Sequence, residues 1–475
     1  MELKGKKVTV VGLARSGAGA VRLLAEKGAD VTVTDMKSEK ELEEIVSTLP
    51  PSVKLCLGSH PEEIFLDADL IVVSPGVPLD IRPLAEAKAR GKRIIGELEL
   101  AYEMIETQWS RGQRSTPFLA VTGSNGKSTT TTLLDHMMKR SGFRTLFGGN
   151  IGNALTEEIM KFSRDNTVPD AVVAEISSFQ LEAIERFRPH VAAVLNITPD
   201  HLDRYHSMDE YCSAKAGIFL NQQASDFLVL NADDPETIRL HEERLRGRAG
   251  GPRIIFFSRT KEVEGIYAKA GGVYVNFPKL EHPAIHRELM HADAIRIKGV
   301  HNLENAMAAS AMALLAGCPA EAVRDSLREF PGLEHRLELV RELDGVKYIN
   351  DSKGTNVGAV IKSMEGFTEP LILIAGGRDK AGDFSALREQ VAEKVKALVL
   401  IGEAAGKIAD ALGDATRTIM AKDLQEAVAT AHGIAEKGDV VLLSPACASF
   451  DMFRDFEDRG RQFKGMVQAL EAAHA

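Results

Sequence analysis

The stretch Phe118-Leu-Ala-Val-Thr-Gly-Ser-Asn-Gly-Lys-Ser-Thr-Thr130 limits the possible folds more than any other part of the chain. An apolar run enters TGSNGKST, and a helix-forming stretch follows, which predicts a strand, a glycine turn and a helix N-terminus. Such a turn aims backbone N–H groups at an anion, and the helix dipole adds positive potential. Lys127 suits terminal phosphates, and the Ser128 hydroxyl suits a Mg²⁺ that bridges them. Gly123, Ser124, Asn125, Gly126, Lys127, Ser128 and Thr129 therefore form a candidate nucleoside triphosphate site. The general phosphate-loop pattern places a glycine where Val121 stands, so this loop is a shorter variant. The bland reading is an ordinary Gly/Ser/Asn turn. Lysine, serine and a threonine run on an incipient helix argue against it.

The same theme of short apolar strand, glycine turn and amphipathic helix recurs in three blocks, which predicts an α/β fold with mainly parallel sheets. The first block, residues 1–114, starts with strand Val8–Gly12, a helix Ala18–Lys27 and strand Val31–Asp35. Its glycines (Gly12, Gly17, Gly19) do not follow the dinucleotide spacing, so the block reads as Rossmann-like with a single nucleotide moiety as the better fit. The second, residues 115–334, carries the phosphate loop, strands Arg144–Phe147, Asp170–Ile176, Val191–Ile197 and Phe227–Asn231, and an alternating stretch from Arg253 to Asn276 that carries Gly271-Gly272 and suggests antiparallel strands or a hairpin. The third, residues 335–475, alternates strands Leu371–Ala375, Ala397–Ile401 and Val440–Leu443 with helices and reads as a second doubly wound domain.

Composition removes several classes. The 58 basic and 68 acidic residues give a net charge of −10, which disfavours nucleic acid as the main partner. Four scattered cysteines without a CxxC pair suggest neither a zinc ribbon nor a disulfide framework, and fit a reducing cytoplasm. The longest mostly apolar stretch, Ala306 to Pro319, is too short to span a bilayer and reads as a buried helix, so no membrane insertion is expected. The opening MELKGKKVTVVGLARSG reads as a first strand and not as a signal peptide.

Polar motifs follow the strands, where an α/β sheet places ligand loops. Glu175 ends AVVAE beside the phosphate loop and reads as a Mg²⁺ ligand, with a helix cap as the alternative. His201 in TPDHLDRY is a second candidate metal ligand, whereas Asp200 and Asp203 read equally as caps. Asn302 and Asn305 in HNLEN share a helix face; an adenine edge and N-capping by Asn302 are equal readings. Arg336 suits a phosphate. Asp35, ending the second strand, suits a ribose or base edge, or is a turn residue. Asp351 in NDSKGTN, Lys380 in GGRDKAGDF, and Ser449 and Phe450 in SPACASFDMF complete the set.

With TGSNGKST, GNIG, EISSFQLE, HLDRY, HNLEN, HR, NDSKGTN, GGRDKAGDF and SPACASFDMF in this order, the chain resembles the Mur ligase family over essentially its whole length. The resemblance implies a three-domain ATP-dependent amide ligase with Mg²⁺, acting in cytoplasmic peptidoglycan precursor synthesis. SSFQLE, GGRDKAGDF and SPACASFDMF point to the branch that adds D-glutamate to UDP-N-acetylmuramoyl-L-alanine. By position, the resemblance implies a catalytic set of Lys127, Asn150, His201 and Lys215, and metal ligation by Ser128, Glu175, His201 and Lys215. Lys215 matches the lysine that becomes a carbamate and holds a second Mg²⁺; by itself it reads as a solvated helix lysine. Asn302, Asn305, Arg336 and Asp351 match nucleotide contacts. Thr355, Lys380, Ser449 and Phe450 match D-glutamate contacts, and Lys380 is apt for an anionic amino acid. Arg15, Ser16, Asp35, Ser74 and Gly76 match positions that hold the UDP group. Nucleotide and amino-acid residues lie in different blocks, so domain closure is expected.

Two competing readings remain at this level. One is another amide ligase of the family; the absence of a DNPR motif disfavours the diaminopimelate-adding type, and a folate ligase would lack the UDP-binding first domain. The other is a non-catalytic nucleotide sensor, against which the loop lysine and the candidate metal ligands count.

Overall fold

The computed structural model describes residues 1–109, 116–201, 204–277, 287–379 and 382–471. These residues build three sheets. The first contains β1 (Lys7–Val11), β2 (Asp30–Asp35), β3 (Lys54–Leu57), β4 (Leu70–Val73) and β5 (Ile94–Gly96), in the order β3-β2-β1-β4-β5, all parallel. The second contains β6 (Phe118–Thr122), β7 (Thr145–Gly149), β8 (Ala171–Glu175), β9 (Val191–Val194), β10 (Phe227–Asn231), β11 (Arg253–Ser258), β12 (Gly265–Lys269), β13 (Gly272–Asn276) and β14 (Arg287–His291). Its order is β14-β13-β12-β11-β10-β9-β6-β8-β7. The third contains β15 (Glu338–Leu343), β16 (Val346–Asn350), β17 (Leu371–Gly376), β18 (Val395–Ile401), β19 (Arg417–Met420) and β20 (Val440–Leu443), in the order β15-β16-β20-β17-β18-β19. The α/β class predicted from the alternation is the class observed.

The central strands read as unbroken apolar runs because helices cover both faces of a parallel sheet. Every residue of β4, β6, β8, β9, β17 and β20 is buried. The third sheet has a separate apolar cluster on each face, as a doubly wound domain requires.

The chain divides into two compact units, residues 1–295 with 303–330, and residues 296–302 with 331–475. The first two sheets share a unit because one apolar cluster runs from Leu3 to Leu245 through both. Buried carboxyl groups reinforce that join. From the helix Glu97–Trp109, which follows β5, Glu99 accepts hydrogen bonds from the backbone N–H groups of Glu185, Arg186 and Phe187 at 2.8–3.0 Å. Glu97 Oε1 accepts from both the N–H and the hydroxyl of Thr156.

Three local expectations are corrected. β11 lies parallel to β10 and β12, so within that stretch only β12 and β13 pair antiparallel, and the hairpin expected at Gly271-Gly272 is their turn. The first helix spans Arg15–Glu26 and not Ala18–Lys27, which puts Arg15 and Ser16 in its first turn. The helix carrying HNLEN starts at Val300, so Asn302 lies inside it and is no N-cap. Strands β3, β15 and β19 give weak signals because they are short or half-buried edge strands.

Replacing Glu99 with alanine leaves three backbone N–H groups without their acceptor. We expect Glu99→Ala to cost about 3 kcal/mol and to lower the thermal midpoint. An unchanged midpoint in calorimetry contradicts the bolting role.

Candidate active site

The loop after β6 turns at Gly126, whose φ of 83° is the left-handed conformation that glycine tolerates best. A Cβ there would lie 2.2 Å from Oδ1 of Asn305, so bare backbone is also needed for the close approach. Asn305 is buried, and its Oδ1 accepts from the Thr130 hydroxyl at 3.3 Å. Gly126 caps the helix Lys127–Arg140, so the helix N-terminus stands where the sequence predicts it.

Residues after β9 brace this loop. Ser124 Oγ donates to the Thr198 carbonyl and accepts from the Thr198 N–H, both at 3.0 Å, and lies 3.1 Å from the Tyr211 hydroxyl. Asn125 N–H donates to Asn196 Oδ1, and Asn196 Nδ2 donates back to the Asn125 carbonyl. Asn196, Thr198 and Tyr211 escape sequence reading. Their signal is the pairing of β6 with β9, which sets the two loops side by side and is invisible without the sheet order.

Two lysines converge inside the turn. Lys127 Nζ donates to the carbonyls of Gly123 and Ser124, and Lys215 Nζ donates to the same Gly123 carbonyl, each at 2.9 Å. Lys215 is 1% exposed, and its ammonium lies 4.5 Å from the centre of the Tyr211 ring. Burial, and then the charge of Lys127, pull its pKa down to about 7. The solvated helix lysine of the sequence reading is therefore a buried amine with substantial neutral character at neutral pH.

Glu175 is 2% exposed at the end of β8. It is not the cap of the following helix, because Ser177 and Gln180 form a capping box there. Its Oε1 accepts from Asn150 Nδ2 at 2.6 Å, and the Asn150 N–H donates to the Glu175 carbonyl. Its Oε2 is buried with no hydrogen-bond partner. A buried, orphaned carboxylate oxygen fits a hard cation, and Ser128 on the phosphate loop is buried as well. Among the described residues, no three His, Cys, Asp or Glu side chains gather as a cage. Mg²⁺ typically takes one or two carboxylates and fills the rest of its shell with phosphate oxygens and water, and the single buried Glu175 carboxylate fits that demand.

His201 has a φ of 54° and packs against Phe179 at 4.8 Å and Tyr211 at 6.3 Å between ring centres. Its backbone N–H donates to Asp200 Oδ1, and its Nε2 lies 3.6 Å from Asp200 Oδ2. Asp203 lies outside the described residues.

In the first sheet, β1 and β4 are neighbours at the point where the strand order reverses, which is where such sheets bind ligands. Ser74 Oγ donates to the Gly12 carbonyl there, and a side chain at Gly76 would meet open space. Asp35 acts as a turn residue: Oδ2 accepts from the Leu13 N–H and Oδ1 from the Lys37 N–H. Arg15 reaches to the second sheet, where it donates to the carbonyls of Gly149, Asn150 and Gly152. Ser16 is half-buried in the same helical turn.

In the second unit, Arg336 sits between His335 (φ 64°) and Leu337 (φ 45°), two left-handed residues that are not glycine. The Leu337 N–H donates to Asp351 Oδ1 at 3.3 Å, and Asp351 Oδ2 accepts from the Ser363 and Ser444 hydroxyls. Burial pushes the Asp351 carboxyl up to about 6. Where the sequence predicts a nucleotide contact, the carboxyl group is enclosed and bonded to its own chain. Asn302 Nδ2 donates to the Lys298 carbonyl. Thr355 is half-buried, Ser449 is buried, and Phe450 is 61% exposed. Lys380 lies outside the described residues.

Arg459, which the sequence does not single out, is fully buried and ties two of these loops together. It donates to the Ser352 hydroxyl and carbonyl after β16, and to the carbonyls of Cys447 and Ala448 after β20.

Residues 6–96 match the Mur ligase MurD-like N-terminal domain, residues 121–313 the Mur ligase middle domain, and residues 335–447 the Mur ligase glutamate ligase domain. The chain is 48% identical over 472 residues to the UDP-N-acetylmuramoylalanine--D-glutamate ligase of Geotalea daltonii, covering 99% of each. It is 43% identical over 477 residues to the enzyme of the same name from Clostridioides difficile, covering 99% of this chain and all of that one. Among solved structures, the UDP-N-acetylmuramate-alanine ligase of Thermotoga maritima superposes with a TM-score of 0.59 at 19% identity, covering 98% and 99% of the two chains. A pseudomurein peptide ligase type C from Methanothermus fervidus gives 0.58 at 19%, covering 98% and 100%. These two structures share the fold.

The turn at Gly126 has a direct test. Gly126→Ala puts a Cβ onto Asn305 and forces a left-handed alanine, which costs about 1–2 kcal/mol. We expect the thermal upshift caused by ATP to be lost. A full ATP-induced shift in this variant contradicts the role of the turn.

Proposed function

This chain belongs to the Mur ligase family, and on that premise we propose that it joins D-glutamate to UDP-N-acetylmuramoyl-L-alanine at the expense of ATP, in peptidoglycan precursor synthesis. The observation that carries the reading is the end-to-end match to D-glutamate ligases, 43–48% identical over nearly all of both chains. The turn that holds Lys127 and Lys215 supports the use of ATP.

The chemistry follows from what a carboxylate lacks. It is a poor acyl donor until one oxygen becomes a phosphate leaving group. In the proposed sequence, an alanyl carboxylate oxygen attacks the γ-phosphorus of ATP, and the bond to the β-phosphate oxygen breaks to give an acyl phosphate and ADP. The D-glutamate amine then attacks the acyl carbon and loses a proton. The C–O bond to phosphate breaks as the amide forms. Both steps concentrate negative charge, which Lys127 and the N–H groups of its helix offset.

Residue roles follow this sequence. Gly123 to Thr129 cradle the triphosphate, and Asn302, Asn305, Arg336 and Asp351 belong to the nucleotide site. Ser128, Glu175 and His201 would hold Mg²⁺, and a carbamate on Lys215 would hold a second ion; Mg²⁺ would supply charge neutralisation at phosphate oxygens. Asn150 and His201 serve the reacting groups. Residues 1–114 bind the nucleotide-sugar through Arg15, Ser16, Asp35, Ser74 and Gly76. Residues 115–334 bind ATP. Residues 335–475 bind D-glutamate through Thr355, Lys380, Ser449 and Phe450.

Phosphate release measured with UDP-N-acetylmuramoyl-L-alanine and each candidate amino acid tests the reading. Release should depend on D-glutamate; release that depends instead on L-alanine or a diamino acid overturns it. Lys127→Ala should lose at least about a hundredfold in kcat, and near-normal turnover refutes its phosphate role.

The carbamate has a pH signature. The neutral Lys215 amine attacks CO2 and loses a proton to give an anionic oxygen ligand. The amine is neutral above a pKa of about 7, so occupancy rises as pH climbs through that value and falls below it. With ¹³C-bicarbonate, a carbamate resonance should follow this profile and vanish in Lys215→Ala, whose activity a short-chain carboxylate partly restores. Absence of both effects rules the carbamate out.

A further inference from the structure

We infer that Arg15 is a positioning residue for the cation site: it fixes the loop that carries Asn150, and through Asn150 it orients Glu175 so that Oε2 stays available to a divalent ion. The inference rests on the reading of Glu175 as a Mg²⁺ ligand and adds a residue from the other sheet to that site.

The loop in question follows β7 and runs through Gly149-Asn150-Ile151-Gly152. Its carbonyls point toward the N-terminus of the helix Arg15–Glu26, which follows β1. One guanidinium satisfies three of them: Nη1 donates to Gly152 O at 2.6 Å, and Nη2 to Asn150 O at 3.1 Å and Gly149 O at 3.4 Å. A planar fork of five donors spans three acceptors, whereas a lysine ammonium is a point donor on a flexible stem. From the same loop, Asn150 makes both of its contacts to Glu175, side chain to Oε1 and N–H to the carbonyl. Oε1 is thereby occupied, and the buried Oε2 keeps its lone pairs free.

The segment on either side is anchored independently, so the Arg15 contacts are what hold the stretch from Asn150 to Gly152 between those anchors. Gly149 pairs with Glu175 in the sheet with a φ of 104°, and a Cβ there would lie 2.4 Å from the Glu175 carbonyl. Beyond the loop, Glu97 holds the N–H and hydroxyl of Thr156, and Arg22 pairs with Glu157 at 2.6 Å. All three anchors come from residues 1–109. On the other side of Arg15, the Leu13 N–H is held by Asp35. A continuous run of bonds thus leads from Asp35, in the proposed nucleotide-sugar site, to Glu175.

Mn²⁺, a paramagnetic stand-in for Mg²⁺, reads the site without turnover. Its affinity would be measured by electron paramagnetic resonance on full-length protein with a non-hydrolysable ATP analogue, for wild type, Arg15→Gln, Arg15→Lys and Glu175→Gln. Outer contacts that orient a ligand carboxylate are typically worth ten- to a hundredfold in metal affinity. We expect Arg15→Gln to weaken Mn²⁺ by about that factor, Arg15→Lys to weaken it less, and the Mg²⁺ concentration for half-maximal activity to rise in step. Unchanged Mn²⁺ affinity, whether KM for the nucleotide-sugar rises or not, overturns the inference and leaves Arg15 as a substrate contact or a surface bond. A lower melting temperature with wild-type Mn²⁺ affinity overturns it equally. Glu175→Gln separates the two levels: if that variant binds Mn²⁺ normally, the cation reading of Glu175 fails regardless of Arg15.

Discussion

Two lysine side chains share one backbone carbonyl, that of Gly123, and much of the site depends on this contact. Two ammonium groups so close repel each other, and one of them is buried. The site relieves the repulsion in two ways. Lys215 gives up part of its charge, with a pKa brought down to about 7. An anion in the turn would supply the rest, because a triphosphate draws Lys127 away from the carbonyls that now occupy it. The same arrangement that concentrates positive charge in the turn makes it receptive to phosphate.

The turn keeps this arrangement because its neighbours are rigid. β6 lies between β8 and β9, so the loops of three adjacent strands meet at one rim. β9 supplies Asn196 and Thr198 as braces, and β8 supplies Glu175. The first sheet then reaches across through Arg15, Glu97 and Glu99. Carboxyl groups buried this deeply are unfavourable as free anions, and burial raises the pKa of both Glu97 and Glu99. Backbone N–H partners offset that cost and lock the two sheets into one unit. In the second unit, Arg459 does comparable work for the loops after β16 and β20.

Strand interiors and phosphate chemistry could be read from the residues alone. AVVAE, FLVLN and VVLL form strands within a residue or two of their expected limits, because fully buried parallel strands leave unmistakable apolar runs. TGSNGKST folds as the turn its glycines imply. Long-range contacts could not be read. The helix start at Arg15, the enclosure of Asp351 by Ser363 and Ser444, and the burial of Lys215 and Arg459 depend on which strands become neighbours. Half-buried strands such as β3 and β19 leave no periodic signal strong enough to separate them from loop.

On the proposed mechanism, the turn serves to convert a carboxylate into an acyl phosphate before the amine arrives. Oxygen transfer tests it most directly. With UDP-N-acetylmuramoyl-L-alanine labelled with ¹⁸O in the alanyl carboxylate, plus ATP and D-glutamate, each phosphate released should carry one substrate-derived oxygen. Phosphate without label would mean that water, and not the alanyl carboxylate, attacks the γ-phosphorus, and would contradict it.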